Sequence, residues 1–427
     1  MTSASTTRRR LLAAAALTVT SVLATAACGS AGPAESASTG LTMWALSDQS
    51  TLKESVDAYN ADHPDRKIDL QLFANDDYKQ KLRVAFGANQ GPDIFFSWGG
   101  GALNDYVESG KVAEITSADL DTGRFTPSVL RTATFDGKVY GIPANGLAPV
   151  VLYYNKTVLA DAGLQPPKTL DDLKAAVTTL KSKGITPISL AANSKWPTLM
   201  WHEYLLDRTG GSKVFDRIGA GDSSGWLDPS VTETNARLQE LVDLGAFGAN
   251  ASSLSYDQGA ATALLYTGKA AFELMGTWEY ANIVKAAPDF VASGRLGYTA
   301  FPTVSGGKGD PHAIVGNPSN YLSINAATGD KASAVTYLKD YVLNDAQVDA
   351  YIKGGSVPPV NGLEAKLGGD EWLRFVYALV QKAPTFQLSW DQALPSEQAD
   401  PLLTTVDDSF LKKITPEQFG QNMSKVS

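Results

Sequence analysis

The chain has 427 residues, of which 44% are apolar and 19% are charged, enough to build folded cores and too few charges for a chain that stays unfolded. Its formal net charge of −9 argues against phosphate-backbone binding, and three histidines with one cysteine leave no disulfide framework or thiolate metal cluster. We therefore expect a folded globular protein with no nucleic-acid partner, no metal and no cofactor.

The N-terminal segment predicts export followed by lipid anchoring. Arg8 to Arg10 precede seventeen uncharged residues, a run too short to span a bilayer comfortably. The residues before Cys28 resemble a bacterial lipoprotein signal, although Thr25 stands where leucine is usual. We expect residues 1–27 to be a signal peptide, with a short transmembrane anchor as the alternative, and Cys28 to be lipidated, with ordinary secretion as the alternative. Residues 28–40 are rich in Ser, Ala and Gly and are expected to form a flexible tether.

From residue 41 onward, short apolar runs alternate with stretches at helical spacing, which is typical of βα units. Leu41 to Leu46 and Ile68 to Leu72 are predicted strands, and the helix between them is expected to stop at His63-Pro64. The apolar run Ile94 to Phe96 follows another amphipathic stretch. These units predict an α/β architecture.

A second series of βα units begins near the middle of the chain. Val150 to Tyr154 is a continuous apolar run suited to a strand buried on both faces. Thr169 and Asp172 have the spacing of a capping box, and Gly184 is placed to end that helix. A strand is expected over Ile185 to Leu190, and the last sixty residues have helical spacing.

The catalytic motifs that the sequence suggests are incomplete. Residues 221–225 fit GxSxG but lack the strand before the serine and the helix after it. His202-Glu203 opens an HExxH pattern, but Leu206 occupies the place of the second histidine. Paired carboxylates remain an open alternative, because glycoside hydrolysis needs two and the chain has 45 acidic residues.

Several of the eight tryptophans lie outside any clear core stripe. Trp98 follows the Ile94 to Phe96 run, and ligands of open α/β sheets bind beyond the carboxyl ends of strands. Trp278 follows Gly276-Thr277, and Trp390 precedes Asp391 in a polar segment. A flat ring matches the C–H face of a pyranose, while amides and carboxylates match its hydroxyls. The pattern indicates a sugar-binding cleft, with core packing as the alternative for any single ring.

Over nearly all of its mature length the sequence resembles the extracellular solute-binding proteins of bacterial ABC importers, specifically the carbohydrate-binding family that includes maltose-binding proteins. Four dispersed segments carry the resemblance: 91–116, 137–164, 268–283 and 320–343. The resemblance implies two α/β lobes joined by hinge strands, with a ligand cleft between the lobes that closes by hinge bending.

The resemblance also implies where the chain crosses between lobes: near Ile142 to Ala148, near Pro302 to Asn317, and near Val357 to Val360. The first lobe is then expected to comprise residues 41–143 and 312–357, and the second lobe residues 148–302 and 361–427.

Carried over by segment, the resemblance places eleven residues in the cleft: Trp98, Trp278, Trp390, Asp391, Asn145, Trp201, Glu203, Ser47, Asp48, Asn317 and Asn320. Glu203 facing solvent is the alternative for that residue. The implied protein is a non-enzymatic, monomeric receptor, lipid-anchored on the outer face of the cytoplasmic membrane. It would capture a carbohydrate, such as a short oligosaccharide, and deliver it to an ABC permease. A secreted glycoside hydrolase and a binding protein for a non-sugar solute are the alternatives.

Overall fold

The computed structural model of the protein describes residues 40–426. The predicted signal peptide, Cys28 and all of the predicted tether except Gly40 lie outside the described residues. Within the described part of the chain, no helix combines the length and the apolar character that a membrane span requires.

Thirteen strands are present in the described residues. In chain order they are β1 (Leu41–Leu46), β2 (Ile68–Phe73), β3 (Ile94–Ser97), β4 (Thr134–Phe135), β5 (Lys138–Val139), β6 (Ile142–Pro143), β7 (Ala148–Asn155), β8 (Thr186–Ser189), β9 (Ala270–Gly276), β10 (Leu296–Thr299), β11 (Ile314–Asn317), β12 (Tyr321–Ile324) and β13 (Phe386–Leu388).

The same part of the chain contains eighteen α-helices. They are α1 (Ser50–Asp62), α2 (Asn75–Gly87), α3 (Gly100–Glu108), α4 (Pro127–Leu130), α5 (Lys156–Ala162), α6 (Leu170–Ser182), α7 (Trp196–Gly210), α8 (Ser212–Gly219), α9 (Pro229–Asp243), α10 (Ala260–Tyr266), α11 (Glu279–Ala286), α12 (Pro288–Ala292), α13 (Lys331–Asp340), α14 (Asp345–Lys353), α15 (Glu371–Lys382), α16 (Trp390–Ala393), α17 (Ser396–Phe410) and α18 (Pro416–Met423).

The first lobe is built on a five-stranded sheet with the order β2-β1-β3-β12-β6. Strand β1 runs parallel to β2 and β3, whereas β12 runs antiparallel to β3 and β6. Ile94, Phe95 and Phe96 are all fully buried, as a continuous apolar run in a central strand predicts. Because β1 and β3 are parallel neighbours, their carboxyl ends meet at one edge of the sheet.

The second lobe is built on a sheet with the order β13-β11-β7-β9-β8, and β10 also pairs with β7. Strand β7 is antiparallel to β9, β10 and β11, while β8 is parallel to β9. Val150 to Tyr153 are fully buried, which confirms the expectation that this strand is covered on both faces. The two sheets with their helices form the two-lobed α/β fold that the sequence predicted.

The connections between the lobes lie side by side. Residues 144–147 join β6 to β7, and residues 318–320 join β11 to β12. The amide of Ala144 donates to the carbonyl of Asn320 at 2.9 Å, and the amide of Leu147 donates to the carbonyl of Val357 at 2.7 Å. Three segments of chain therefore run together where a hinge is expected.

The structure corrects one expected lobe boundary. The boundary at residue 312 placed Ile314–Asn317 in the first lobe, but this strand pairs with β7 and β13 of the second sheet. The return crossing therefore lies between Asn317 and Tyr321 rather than within 302–317. A four-residue apolar strand carries no sequence signal of which sheet it joins, so the pairing partners decide the boundary.

Local signals in the sequence are confirmed where they depend on neighbouring residues alone. Helix α1 ends at Asp62, directly before His63-Pro64. Thr169 and Asp172 form the predicted capping box at the start of α6. Ser223 of the GxSxG segment begins a 3-10 helix over Ser223–Leu227 and follows helix α8 rather than a strand, so the segment is not a nucleophile elbow.

Candidate ligand-binding cleft

A cavity of about 440 Å³ lies between the two lobes. Its wall is formed by the carboxyl ends of β1 and β3 and the start of α2 in the first lobe, by loops and helix starts of the second lobe, and by the connecting segments. Eight of the eleven expected residues line it: Ser47, Asp48, Trp98, Asn145, Trp278, Asn317, Asn320 and Asp391.

The first-lobe wall follows from the parallel pairing of β1 and β3. Ser47 and Asp48 come directly after β1, and Trp98 comes directly after β3, so all three lie at the same sheet edge. The Trp98 ring packs edge-on against Tyr78, at 5.8 Å between centroids. Lys79 lies 5.0 Å from the centroid of the Trp98 ring. Trp98 is therefore held in place by its own lobe.

Lys79 also contacts the opposite side of the cavity. Its Nζ lies 3.2 Å from Oδ2 of Asp391, whose side chain is 7% exposed. Asp391 stands at the start of α16, which packs against both α3 and α7. This ion pair therefore joins Asp391 of the second lobe to the first-lobe wall.

The second lobe contributes a group of aromatic rings. Trp196 packs against Tyr256 at 4.7 Å and lies 6.2 Å from Trp278, measured between ring centroids. A Cβ on Gly276 would lie only 2.0 Å from the Trp278 ring, so the glycine lets that indole fold back against its own strand. All three rings line the cavity and retain partial exposure.

Asparagines from the connecting segments supply amide groups to the cavity wall. Asn317 and Asn320 are each 6% exposed, and Nδ2 of Asn317 donates to Oδ1 of Asn320 at 3.3 Å. Among the described residues, Oδ1 of Asn317 has no hydrogen-bond partner. A buried acceptor without a donor is costly, so this oxygen is suited to receive a hydroxyl of a ligand.

A pair of buried carboxyl groups stands behind Trp278. The hydroxyl of Thr262 lies 2.9 Å from Oε1 of Glu273 and 2.7 Å from Oε1 of Glu279, and only Glu279 lines the cavity. Burial raises the pKa of both carboxyl groups, most strongly that of Glu273, whose pKa the nearby Glu279 raises further. Tyr256 and Asn282 donate to the second oxygen of Glu279, at 3.1 Å each.

Three expected residues do not line the cavity, which corrects their expected placement. Trp201 is fully buried and packs edge-on against Phe247 and Phe301, at 5.4 and 5.6 Å. Trp390 is 2% exposed and stacks on Phe215 at 4.6 Å. Both rings therefore pack against aromatic side chains in the interior of the second lobe.

Glu203 is the third of these residues, and it faces neither the cavity nor solvent. Its side chain is fully buried, and its Oε1 accepts a 2.8 Å hydrogen bond from the amide of Trp390. Burial raises the pKa of Glu203 to about 8. Ser389 and Asp391, the neighbours of Trp390, line the cavity, so Glu203 supports the cavity wall from behind.

Several residues of the cavity wall had not been expected there. They include Trp196, Tyr256, Asp257, Glu279, Asn282 and Lys79. Glu279 directly follows Trp278, which was expected in the cleft, so its place in the sequence could have indicated that it lines the cavity. Trp196 begins a helix whose next thirteen residues are buried, and nothing in its sequence context separates it from a core residue.

The fold and the cavity together define the class of two-lobed binding proteins, with a cavity at the junction of the lobes. Residues 44–348 match the family of bacterial extracellular solute-binding proteins, and the chain belongs to this family.

Among relatives, the multiple sugar-binding protein of Streptococcus mutans is 26% identical over 325 residues, covering 73% of each chain. A structure from work on xylan utilization by Caldanaerobius polysaccharolyticus superposes with a TM-score of 0.82 at 30% identity, covering 90% of this chain and 99% of the other. A chitin oligosaccharide binding protein superposes with a TM-score of 0.81 at 26% identity, covering 91% and 97%.

Proposed function

We propose that the protein binds a short oligosaccharide in this cavity and delivers it to the permease of an ABC importer. The observation that carries the proposal is the makeup of the wall: Trp98 from one lobe and Trp196 and Trp278 from the other, bordered by amides and carboxyl groups. Ring faces match the C–H faces of a pyranose, and the polar groups match its hydroxyls. A cavity of about 440 Å³ is within the range of small-molecule sites.

The relatives support the same class of ligand. One is named for binding multiple sugars and another for binding chitin oligosaccharides. The eight expected wall residues, together with Trp196, Tyr256 and Glu279, are the proposed ligand contacts.

We further propose that the mature chain is a monomer held on the outer face of the cytoplasmic membrane by a lipid on Cys28. Support comes from the sequence before Cys28 and from the family, which is extracellular. The sequence contains no Walker motif, which fits ATP hydrolysis by a separate subunit of the importer.

A glycoside hydrolase is the second candidate, favoured by one observation. Glu279 presents a carboxyl group of raised pKa to the cavity, as a general acid requires, and Asp48 lies on the wall as well. Against this role, both oxygens of Glu279 already accept hydrogen bonds from the protein.

Calorimetry with a panel of ligands tests the proposal. Xylo-, cello-, malto- and chito-oligosaccharides are titrated into the mature protein, with putrescine as a charged non-sugar solute, and each mixture is then analysed by chromatography. We expect at least one neutral oligosaccharide to bind at one per chain and to be recovered intact. Shortened products would establish the hydrolase, and binding of putrescine alone would contradict a sugar receptor.

Thermal unfolding provides a second measurement of the same panel. A ligand at about 100 times its dissociation constant adds about 2.7 kcal/mol to the free energy of unfolding. The oligosaccharide that binds in calorimetry is expected to raise the melting temperature, and its non-binding isomers are the controls.

A further inference from the structure

Helix α2 of the first lobe is capped by a residue of the second lobe. The residue before the helix is Ala74, whose side chain cannot accept a hydrogen bond. The first two amides of the helix, those of Asn75 and Asp76, instead donate to the carboxylate of Asp257, at 3.1 Å each. Asp257 lies between β8 and β9, so the cap reaches across the cleft.

The first turn of α2 also accepts hydrogen bonds from the second lobe. The carboxylate of Asp76 accepts from the hydroxyl of Ser194 at 2.8 Å and from Nε1 of Trp196 at 3.3 Å. The Ser194 hydroxyl in turn accepts from the amide of Tyr256 at 3.1 Å. Four hydrogen bonds therefore join the lobes through two aspartates, and we name Asp76 and Asp257 the interlobe clasp.

We propose that Asp76 and Asp257 are positioning residues that assemble the aromatic wall of the cavity when the lobes close. Asp76 does not line the cavity, but it holds the indole N–H of Trp196, which does. Asp76 is also linked to the backbone of Tyr256 through the Ser194 hydroxyl, so one first-lobe carboxylate holds the Trp196 ring and the segment that carries the Tyr256 ring.

The clasp acts through closure because its partners belong to different lobes. Opening at the segments 144–147 and 318–320 separates α2 from the second lobe, which breaks all four hydrogen bonds together. The hydrogen bonds of the clasp run between the lobes and need no ligand, so they raise the closed population before any ligand binds. The closure effect is independent of the ligand, whereas the effect on sugar affinity rests on the proposed function.

Hydrogen–deuterium exchange of the ligand-free mature protein tests the closure effect. The peptide that contains Asn75 and Asp76 is followed in wild type, Asp76→Ala and Asp257→Ala. Asp77→Ala is the matched control, because it removes an exposed carboxylate from the same helical turn. Hydrogen bonds to charged groups contribute enough that we expect roughly tenfold faster exchange in both clasp variants. Exchange in the control should match wild type.

Affinity for the oligosaccharide that binds wild type provides the second measurement. Asp76→Ala is expected to weaken binding roughly tenfold, and Asp76→Asn, which keeps one acceptor oxygen, by less. Unchanged exchange in Asp76→Ala with the melting temperature preserved would overturn the clasp. Faster exchange without a change in affinity would overturn the positioning of Trp196. If the clasp variants exchange faster but no sugar binds any form, the clasp stands and the proposed function fails.

Discussion

Glu203 gives the stability of the second lobe a pH dependence that a single substitution removes. The folded state holds the proton of this carboxyl group more tightly than the unfolded state, because its pKa rises from 4.5 to about 8 on burial. The protonated carboxyl group therefore stabilises the folded state fully below pH 4.5. This stabilisation is lost progressively as the pH rises from 4.5 through about 8. Glu203→Gln keeps an amide oxygen for the amide of Trp390 and cannot ionise.

The size of the effect follows from the two pKa values. Each pH unit between them corresponds to about 1.4 kcal/mol, so ionising Glu203 costs the folded state up to about 5 kcal/mol. Integrated between pH 5 and pH 8, wild type should lose roughly 3 kcal/mol relative to Glu203→Gln. The two proteins should be of similar stability near pH 5, where the wild-type side chain is neutral.

Urea unfolding of both proteins from pH 5 to pH 8 measures this difference. His202 and every other titrating group are present in both chains, so their contributions cancel in the difference between the two curves. Glu54→Gln makes the same chemical change at an exposed position of α1 and should give a curve parallel to that of wild type. Parallel curves for wild type and Glu203→Gln would refute the argument, because they would mean that Glu203 is already ionised at pH 5 without cost.

Three further predictions concern the cavity and the interior. Trp278→Ala should weaken sugar affinity by roughly 1–3 kcal/mol in calorimetry, because it removes a stacking surface, whereas Trp44→Ala, at a half-buried tryptophan outside the cavity wall, should not. Gly276→Ala should also weaken sugar affinity, because the added methyl group displaces the Trp278 ring. If both variants bind the sugar as tightly as wild type, this ring makes no contact with the ligand. Burial lowers the pKa of His202 to about 4, so the unfolded state takes up its proton first and acidification from pH 6.5 to 4 should cost about 3 kcal/mol. His202→Gln should remove that loss in urea unfolding, and an unchanged acid limb would contradict it.

One part of the predicted site depends on position along a strand. Ser47, Asp48 and Trp98 follow β1 and β3, and the carboxyl ends of parallel strands share an edge. The strand pattern alone predicted Trp98, whereas Ser47 and Asp48 were expected from the family resemblance, and the shared edge accounts for all three. The capping box at α6 was likewise predicted from local sequence, because it depends on residues three apart.

The part that the sequence did not predict depends on tertiary packing. Trp201 and Trp196 lie on the same helix, five residues apart, yet one is buried among phenylalanines and the other lines the cavity. Almost every residue of helix α7 is buried. Helical periodicity therefore cannot distinguish the face that packs in the core from the face that meets the cavity. The sequence also did not predict the cap of α2 by Asp257, because Asp257 lies 181 positions after Asp76 in the chain.

Helix α7 begins at the cavity wall with Trp196, and its residues from Pro197 to Thr209 are buried. Any substitution along it disturbs close packing on all sides. The exposed residues Asp48 and Gln258 also border the cavity, yet they have little packing to lose. Ligand preference is therefore expected to change through substitutions in these loops, both in evolution and in protein engineering. Helix α7 behind them is expected to change little.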